Sequence, residues 1–128
     1  MNLLLDTHIV IWTLGGFDRL SETTVKLIES PNNQVFVSSV SLWEIVTKVQ
    51  IGKLTIPGGF LDSIRSQGFE ILDFSERHAI QILKLPLHHR DPFDRALLAQ
   101  ASHEKFKFVT VDSALEQYRD DVDLLMMK

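Results

Sequence analysis

The apolar residues of this chain form short runs that are separated by longer segments with a helical period. The first run, residues 3–5 (Leu-Leu-Leu), is stopped by Asp6, and it predicts a strand that is buried on both faces. Similar runs bounded by turn residues predict four further strands, at residues 34–38, 69–74, 107–112 and 122–126.

The segments between these runs carry the start and stop signals of helices. We expect N-caps at Ser21, Ser41, Ser75 and Asp91. The predicted helices cover residues 7–14, the segment that follows Ser21, the segment from Ser41 to residue 49, residues 60–67, the segment from Ser75 towards Pro86, the segment from Pro92 to about residue 103, and residues 113–118. Because strands and helices alternate, the chain should be an α/β protein whose parallel sheet has helices on both faces. With no internal repeat and no long linker, residues 1–128 should form a single domain.

Five acidic residues follow predicted strands or open predicted helices. In open α/β sheets, ligands bind beyond the carboxyl ends of the strands, so we expect these acids to gather at one edge of the sheet. Carboxylates that are brought together repel unless a cation joins them, and hard oxygen ligands suit Mg²⁺ or Mn²⁺. The five residues are Asp6, Glu44, Asp91, Asp94 and Asp112.

Most of these acids also have an ordinary structural explanation. Asp6 and Asp91 precede helices and are suited to cap them, and Asp112 is suited to a turn. Glu44 stands four residues before Lys48, which is the spacing of a surface ion pair. On a helical wheel Glu44 lies away from the apolar stripe, which we expect to consist of Leu42, Ile45, Val46 and Val49.

Asp94 is harder to explain structurally. It shares a helical face with Leu97, Leu98 and Ala101. A carboxylate on an apolar face is costly to bury unless it is paired or binds a metal ion. The neighbouring His88-His89 pair offers too few nitrogen or sulfur ligands for a zinc site, so we expect it in a solvated loop.

Composition narrows the possible functions. The 128-residue chain is 45% hydrophobic and 23% charged, as globular domains are, and its net charge of −4 argues against holding nucleic acid by bulk positive charge. It contains no cysteine, which excludes disulfides and thiolate zinc sites. No apolar stretch approaches the roughly 20 residues of a membrane helix. We expect neither a signal peptide nor membrane association, and we expect a cytoplasmic protein.

Four basic residues flank the acids and are placed to steer a phosphate backbone: Lys48, Lys53, Arg90 and Arg95.

The acidic residues stand in a specific sequence context. The segments are Leu3-Leu4-Leu5-Asp6-Thr7-His8, Ser38 to Trp43 followed by Glu44, His89-Arg90-Asp91-Pro92-Phe93-Asp94-Arg95 with Leu97-Leu98-Ala99-Gln100-Ala101, and Val109-Thr110-Val111-Asp112. Together they resemble PIN domains, and more narrowly the VapC-type toxins of prokaryotic toxin–antitoxin pairs. The resemblance runs from residue 2 to about residue 125.

The resemblance implies a three-layer α/β/α domain with a central, mostly parallel five-stranded sheet. It also implies an endoribonuclease that depends on Mg²⁺ or Mn²⁺. Asp6, Glu44, Asp94 and Asp112 match the four family acids in that order, as catalytic residues and metal ligands. Asp91 is typical of the subgroup and is a further candidate ligand.

The implied partners are an RNA substrate and a cognate antitoxin, for which Trp12 and Trp43 are candidate contacts, and we also expect a homodimer. The alternative is a catalytically inactive PIN-like module that binds protein or RNA.

Overall fold

Five strands alternate with helices along the whole chain, and the computed structural model describes every residue from Met1 to Lys128. The strands are β1 (Asn2–Leu5), β2 (Gln34–Ser38), β3 (Glu70–Leu72), β4 (Lys107–Thr110) and β5 (Leu124–Met126). The α-helices are α1 (Thr7–Thr13), α2 (Glu22–Glu29), α3 (Ser39–Gln50), α4 (Phe60–Ser66), α5 (Glu76–Gln81) and α6 (Pro92–Glu104). Short 3-10 helices cover Phe17–Arg19, Ile82–Lys84 and Ser113–Tyr118.

The sheet has the spatial order β3-β2-β1-β4-β5, and all its neighbouring strands are parallel. The expected five-stranded parallel sheet is therefore confirmed. β1 is the central strand. Along the chain, β2 and β3 are added on one side of it, and β4 and β5 are then added on the other side. The strand order thus reverses beside β1, and a crevice forms at the carboxyl end of the strands at such a point.

The central strand β1 contributes to both sides of the sheet. Leu3 and Leu5 join an apolar cluster with Ile9 of α1 and Ile64 of α4, and Leu4 joins a second cluster with α6. Leu3, Leu4 and Leu5 have no exposed surface. Because side chains alternate along a strand, one buried strand separates two helical layers. This arrangement confirms the three-layer α/β/α architecture.

Several predicted boundaries were wrong, and one error concerns a cap. Helix α3 begins at Ser39, and its N-cap is Ser38, whose hydroxyl accepts a hydrogen bond from the Val40 N–H at 2.9 Å. The predicted cap, Ser41, lies inside the helix and shares a hydrogen bond of 2.9 Å with the Thr7 hydroxyl. The strand therefore passes directly into the helix, with no loop between them.

Other elements are shorter than the apolar runs suggested. The strands predicted at 69–74, 107–112 and 122–126 are confined to Glu70–Leu72, Lys107–Thr110 and Leu124–Met126. The helix expected to reach towards Pro86 ends at Gln81 and continues as a 3-10 turn over Ile82–Lys84. None of the helices has the length and hydropathy that crossing a membrane would require.

A buried polar contact fixes α3 relative to α6. The Ser38 hydroxyl donates to Oε1 of Gln100, and both side chains are completely buried. The Gln100 amide also lies 3.3 Å from Nδ1 of the buried His78. Buried polar groups need such partners, and a satisfied network favours one packing arrangement. The contact therefore holds together the two helices that carry Glu44 and Asp94.

Candidate metal centre

Asp6 lies at the carboxyl end of β1, in the crevice beside β4. Asp6 is only 3% exposed, and its Oδ2 accepts a hydrogen bond of 2.6 Å from the Thr110 hydroxyl at the end of β4. Burial raises the pKa of Asp6, and the Thr110 hydrogen bond opposes that rise. Although Asp6 precedes α1, its side chain makes no capping hydrogen bond to that helix. The capping explanation for this acid is therefore not supported.

Glu44 is buried, contrary to the expectation of an exposed ion pair. The predicted pair exists, since Lys48 Nζ lies 2.9 Å from Glu44 Oε2, but Glu44 itself is only 5% exposed. Its other oxygen, Oε1, is buried and has no hydrogen-bond partner. A buried carboxylate oxygen without a partner carries an uncompensated desolvation cost. That oxygen is suited to accept a cation.

The predicted apolar stripe of α3 was right for Ile45, which is fully buried, and wrong for Val46 and Val49. Val46 and Val49 are 49% and 41% exposed, whereas the buried face contains Val40, Ser41, Glu44 and Ile45. Hydrophobicity alone turned the buried face too far towards Val46 and Val49, because it takes no account of polar contacts. The hydrogen bond between Ser41 and Thr7 turns the polar side of α3 towards α1. The helix therefore brings Glu44 inside and leaves apolar residues on the surface.

Asp94 stands in the first turn of α6, close to the other two buried acids. Its Oδ2 lies 2.8 Å from Nε2 of His89, and its side chain is 17% exposed. Burial, followed by the negative charge of Asp6, raises the pKa of Asp94 to about 6, and Asp91 and Glu44 add to the rise. Asp6, Glu44 and Asp94 therefore form one electrostatically coupled group, as the strand topology predicted.

Asp91 caps helix α6. Its Oδ1 accepts hydrogen bonds from the Phe93 N–H at 2.8 Å and the Asp94 N–H at 3.1 Å, and Pro92 occupies the first turn. The side chain of a residue that caps a helix is already in use. The structural explanation for Asp91 is thus realised, and its role as a metal ligand stays a prediction.

Asp112 and His89 complete the group at its less buried side. Asp112 caps the 3-10 helix Ser113–Tyr118 through the Ala114 N–H, and its own N–H donates to the Thr110 hydroxyl at 3.1 Å. Possible ligand atoms of His89, Asp94 and Asp112 all lie within 4.8 Å of one another. The sequence interpretation missed His89, which was assigned to a solvated loop. The signal for it was its position, five residues before Asp94 and two before the helix cap Asp91.

The donor set fits a hard divalent cation. The three most buried donors are carboxylates, one of their oxygens has no partner, and the pKa values of Asp6 and Asp94 are raised. Oxygen ligands in such a group suit Mg²⁺ or Mn²⁺. Among the flanking basic residues, Lys48 is paired with Glu44, and Arg95 donates to protein oxygens.

Comparisons with known proteins agree with this architecture. The family model for the PIN domain matches residues 3–121. The structure is similar to VapBC2 from Rickettsia felis bound to a DNA fragment of its promoter, with a TM-score of 0.77, 19% identity and complete coverage of both chains (100% and 100%). DNA-bound VapBC from Salmonella typhimurium gives a TM-score of 0.70 at 18% identity, covering 98% of each chain.

A third similar structure is VapBC-5, a member of the VapBC family of toxin–antitoxin systems from Mycobacterium tuberculosis. It gives a TM-score of 0.65 at 19% identity and covers 99% of this chain and 98% of that chain. At these identities the likeness establishes the fold. No curated protein sequence matches significantly.

The raised pKa of Asp94 predicts how the metal-free protein responds to pH. The folded state holds the Asp94 proton up to a pH of about 6, whereas the unfolded chain loses it near 3.8. The resulting stabilisation of the folded state is fully present below pH 3.8 and is lost as the pH rises through about 6. Asp94→Asn should therefore increase the free energy of unfolding at neutral pH by about 1–3 kcal/mol and have little effect at a pH of about 4.

Urea denaturation in the presence of EDTA, at both pH values, measures this effect. Asp91→Asn is the matched control, because asparagine is also a good N-cap and should change stability by no more than about 0.5 kcal/mol. If Asp94→Asn and the unsubstituted protein were equally stable at neutral pH, the charged Asp94 side chain would not destabilise the folded state as we expect.

Proposed function

This chain belongs to the PIN domain family, and from that premise we propose that it is an endoribonuclease dependent on Mg²⁺ or Mn²⁺ and the toxin of a VapC-type toxin–antitoxin pair. The observation that carries the proposal is the set of buried, electrostatically coupled carboxylates of Asp6, Glu44 and Asp94, together with the unpartnered Oε1 of Glu44. A catalytically inactive interaction module gives no reason to bury Asp6, Glu44 and Asp94 beside one another. We therefore favour the enzyme over that alternative.

Three acids would hold the ion, and each already has one oxygen engaged by the protein. Thr110 donates a hydrogen bond to Asp6, Lys48 to Glu44, and His89 to Asp94. These donors stabilise the charged carboxylates and restrict their rotation. Since the pKa of Asp94 is about 6, its carboxylate is available for a cation at neutral pH.

The chemistry we propose is hydrolysis of an RNA phosphodiester bond. A divalent ion held by Asp6, Glu44 and Asp94 would supply an activated water molecule and neutralise charge at the phosphate. Asp94 or Asp112 would orient the attacking water, and neither the fold nor the spacing requires a covalent nucleophile. Arg90 and Lys53 are exposed and would meet the RNA backbone, whereas Lys48 and Arg95 are engaged within the protein.

We further propose that a cognate antitoxin covers the apolar side of α3. The solved neighbours described above are VapBC proteins. The exposed apolar residues of this side are Trp43, Val46, Val49 and Ile51. Val46 and Val49 line a groove of about 520 Å³ that is also lined by Ile56 and Phe60.

Trp43 packs edge-on against Phe93, one residue before Asp94, with 4.6 Å between the ring centroids. A partner on this surface would therefore reach the acids. Trp12 lines a second groove, which shares Ile56 with the first, and remains a candidate contact. The homodimer and the cytoplasmic location stay predictions of the same proposal.

The metal mechanism predicts how cleavage depends on the acids. Asp94→Asn keeps the shape of the side chain but removes a charge that the ion requires, so single-turnover RNA cleavage with Mn²⁺ should fall on the order of 10²-fold or more. Asp91→Asn should lower cleavage only modestly, because the cap is retained. EDTA should abolish cleavage by the unsubstituted protein.

Two results would contradict these expectations. Cleavage that persists unchanged in excess chelator would exclude the metal mechanism. An inactive Asp91→Asn protein together with an active Asp94→Asn protein would show that Asp91, and not Asp94, is the third acidic ligand.

The partner proposal predicts that a charge on the apolar side of α3 weakens antitoxin binding. Val46→Glu should reduce affinity for the co-encoded antitoxin at least about tenfold, because a carboxylate would be buried at the interface. Ile80→Glu is the matched control, since Ile80 is equally apolar and 62% exposed, but lies on α5. Isothermal titration calorimetry measures both affinities. The toxin proposal fails if the protein alone does not inhibit growth and no co-encoded protein binds it.

A further inference from the structure

The hydroxyl of Tyr118 accepts hydrogen bonds from the loop that precedes α6 and from Arg95. Tyr118 ends the 3-10 helix that Asp112 caps, and it has no exposed surface. Its oxygen accepts hydrogen bonds from the main-chain N–H groups of His88, at 3.2 Å, and His89, at 3.0 Å. The buried hydroxyl thus fixes the backbone of the loop immediately before α6.

Arg95 attaches the same loop to α6. Its Nη1 donates to the Tyr118 hydroxyl at 3.0 Å and to the Pro86 carbonyl at 3.0 Å, and its Nη2 donates to the Ile82 carbonyl at 3.3 Å. Arg95 directly follows Asp94 in the sequence. The segment from residue 86 to residue 89 is therefore held on one side by Tyr118 and on the other by the helix that carries Asp94.

This loop carries His89, the one side chain that donates a hydrogen bond to the Asp94 carboxylate. The donor is Nε2, at 2.8 Å from Oδ2, and the imidazole is only 24% exposed. If Tyr118 did not hold the backbone of this loop, placing the imidazole against Asp94 would cost conformational entropy of the loop and of the side chain. The contact between His89 and Asp94 therefore depends on the loop geometry that Tyr118 imposes.

We propose that Tyr118 is a positioning residue of the metal centre: through the loop it holds His89 against Oδ2 of Asp94, and it thereby raises the affinity of the carboxylates for a divalent ion. The proposal rests on the metal-dependent function proposed above. Groups that orient metal ligands change metal affinity by about 10- to 100-fold when they are removed. Tyr118 makes no hydrogen bond to the acids themselves; its hydroxyl holds the backbone of His89 and the side chain of Arg95, and we assign its effect on the ion to the His89 route.

The test measures Mn²⁺ affinity by isothermal titration calorimetry, without RNA, in four variants of Tyr118 and His89 and in one control variant. Tyr118→Phe removes the hydroxyl, and His89→Leu removes the donor to Asp94. His89→Gln keeps an N–H donor at a similar reach. The fourth variant combines Tyr118→Phe with His89→Leu.

We expect Tyr118→Phe to weaken Mn²⁺ binding at least about tenfold and His89→Leu about 10- to 100-fold. His89→Gln should bind within about threefold of the unsubstituted protein, because its donor is retained. In the double variant Tyr118→Phe should add nothing to His89→Leu, since the two act through one contact. Ile64→Val, a buried change in α4 on the opposite side of the sheet, controls for general loss of stability and should leave affinity unchanged.

The outcomes separate this inference from the proposed function. If the unsubstituted protein binds no Mn²⁺, both are overturned. If it binds Mn²⁺ and the affinity of Tyr118→Phe is unchanged, only the role of Tyr118 is overturned. The role is also overturned if Tyr118→Phe has its full effect when His89 is already leucine, or if Ile64→Val weakens binding equally.

Discussion

The repulsion between buried carboxylates is the constraint on which the site depends. Asp6, Glu44 and Asp94 are removed from water and placed within each other's electric fields, which raises the pKa of Asp94 to about 6. A protein gains nothing in stability from this arrangement, and a divalent cation would remove the repulsion. Without the ion, the destabilisation is reduced by Thr110, Lys48 and His89, each of which donates a hydrogen bond to one carboxylate oxygen.

The sheet topology brings these acids together from distant parts of the sequence. Asp6 leaves the central strand, and Thr110 ends the neighbouring strand, so parallel pairing alone places them side by side. The helices that carry Glu44 and Asp94 are fixed to each other by the buried contact between Ser38 and Gln100. Strand order and one polar contact between helices therefore determine the geometry of the site.

The sequence predicted those features that local patterns encode. Apolar runs predicted the five strands, the position after a strand pointed to Asp6, and the apolar face of a helix pointed to Asp94. The burial of Glu44 was missed because it depends on the hydrogen bond between Ser41 and Thr7, which no hydrophobic pattern contains. His89 was missed for a similar reason: its backbone is held by Tyr118, which lies 29 residues further along the chain.

The central claim is that the buried carboxylates form one divalent-cation site. Anomalous diffraction from crystals soaked in Mn²⁺ tests it most directly, because the signal locates the ion without any assay of activity. The account predicts one strong peak in direct contact with oxygens of Asp6 and Asp94 and beside Oε1 of Glu44. The absence of a peak there at saturating Mn²⁺, or a peak bound only by Asp91 and other exposed acids, would contradict it.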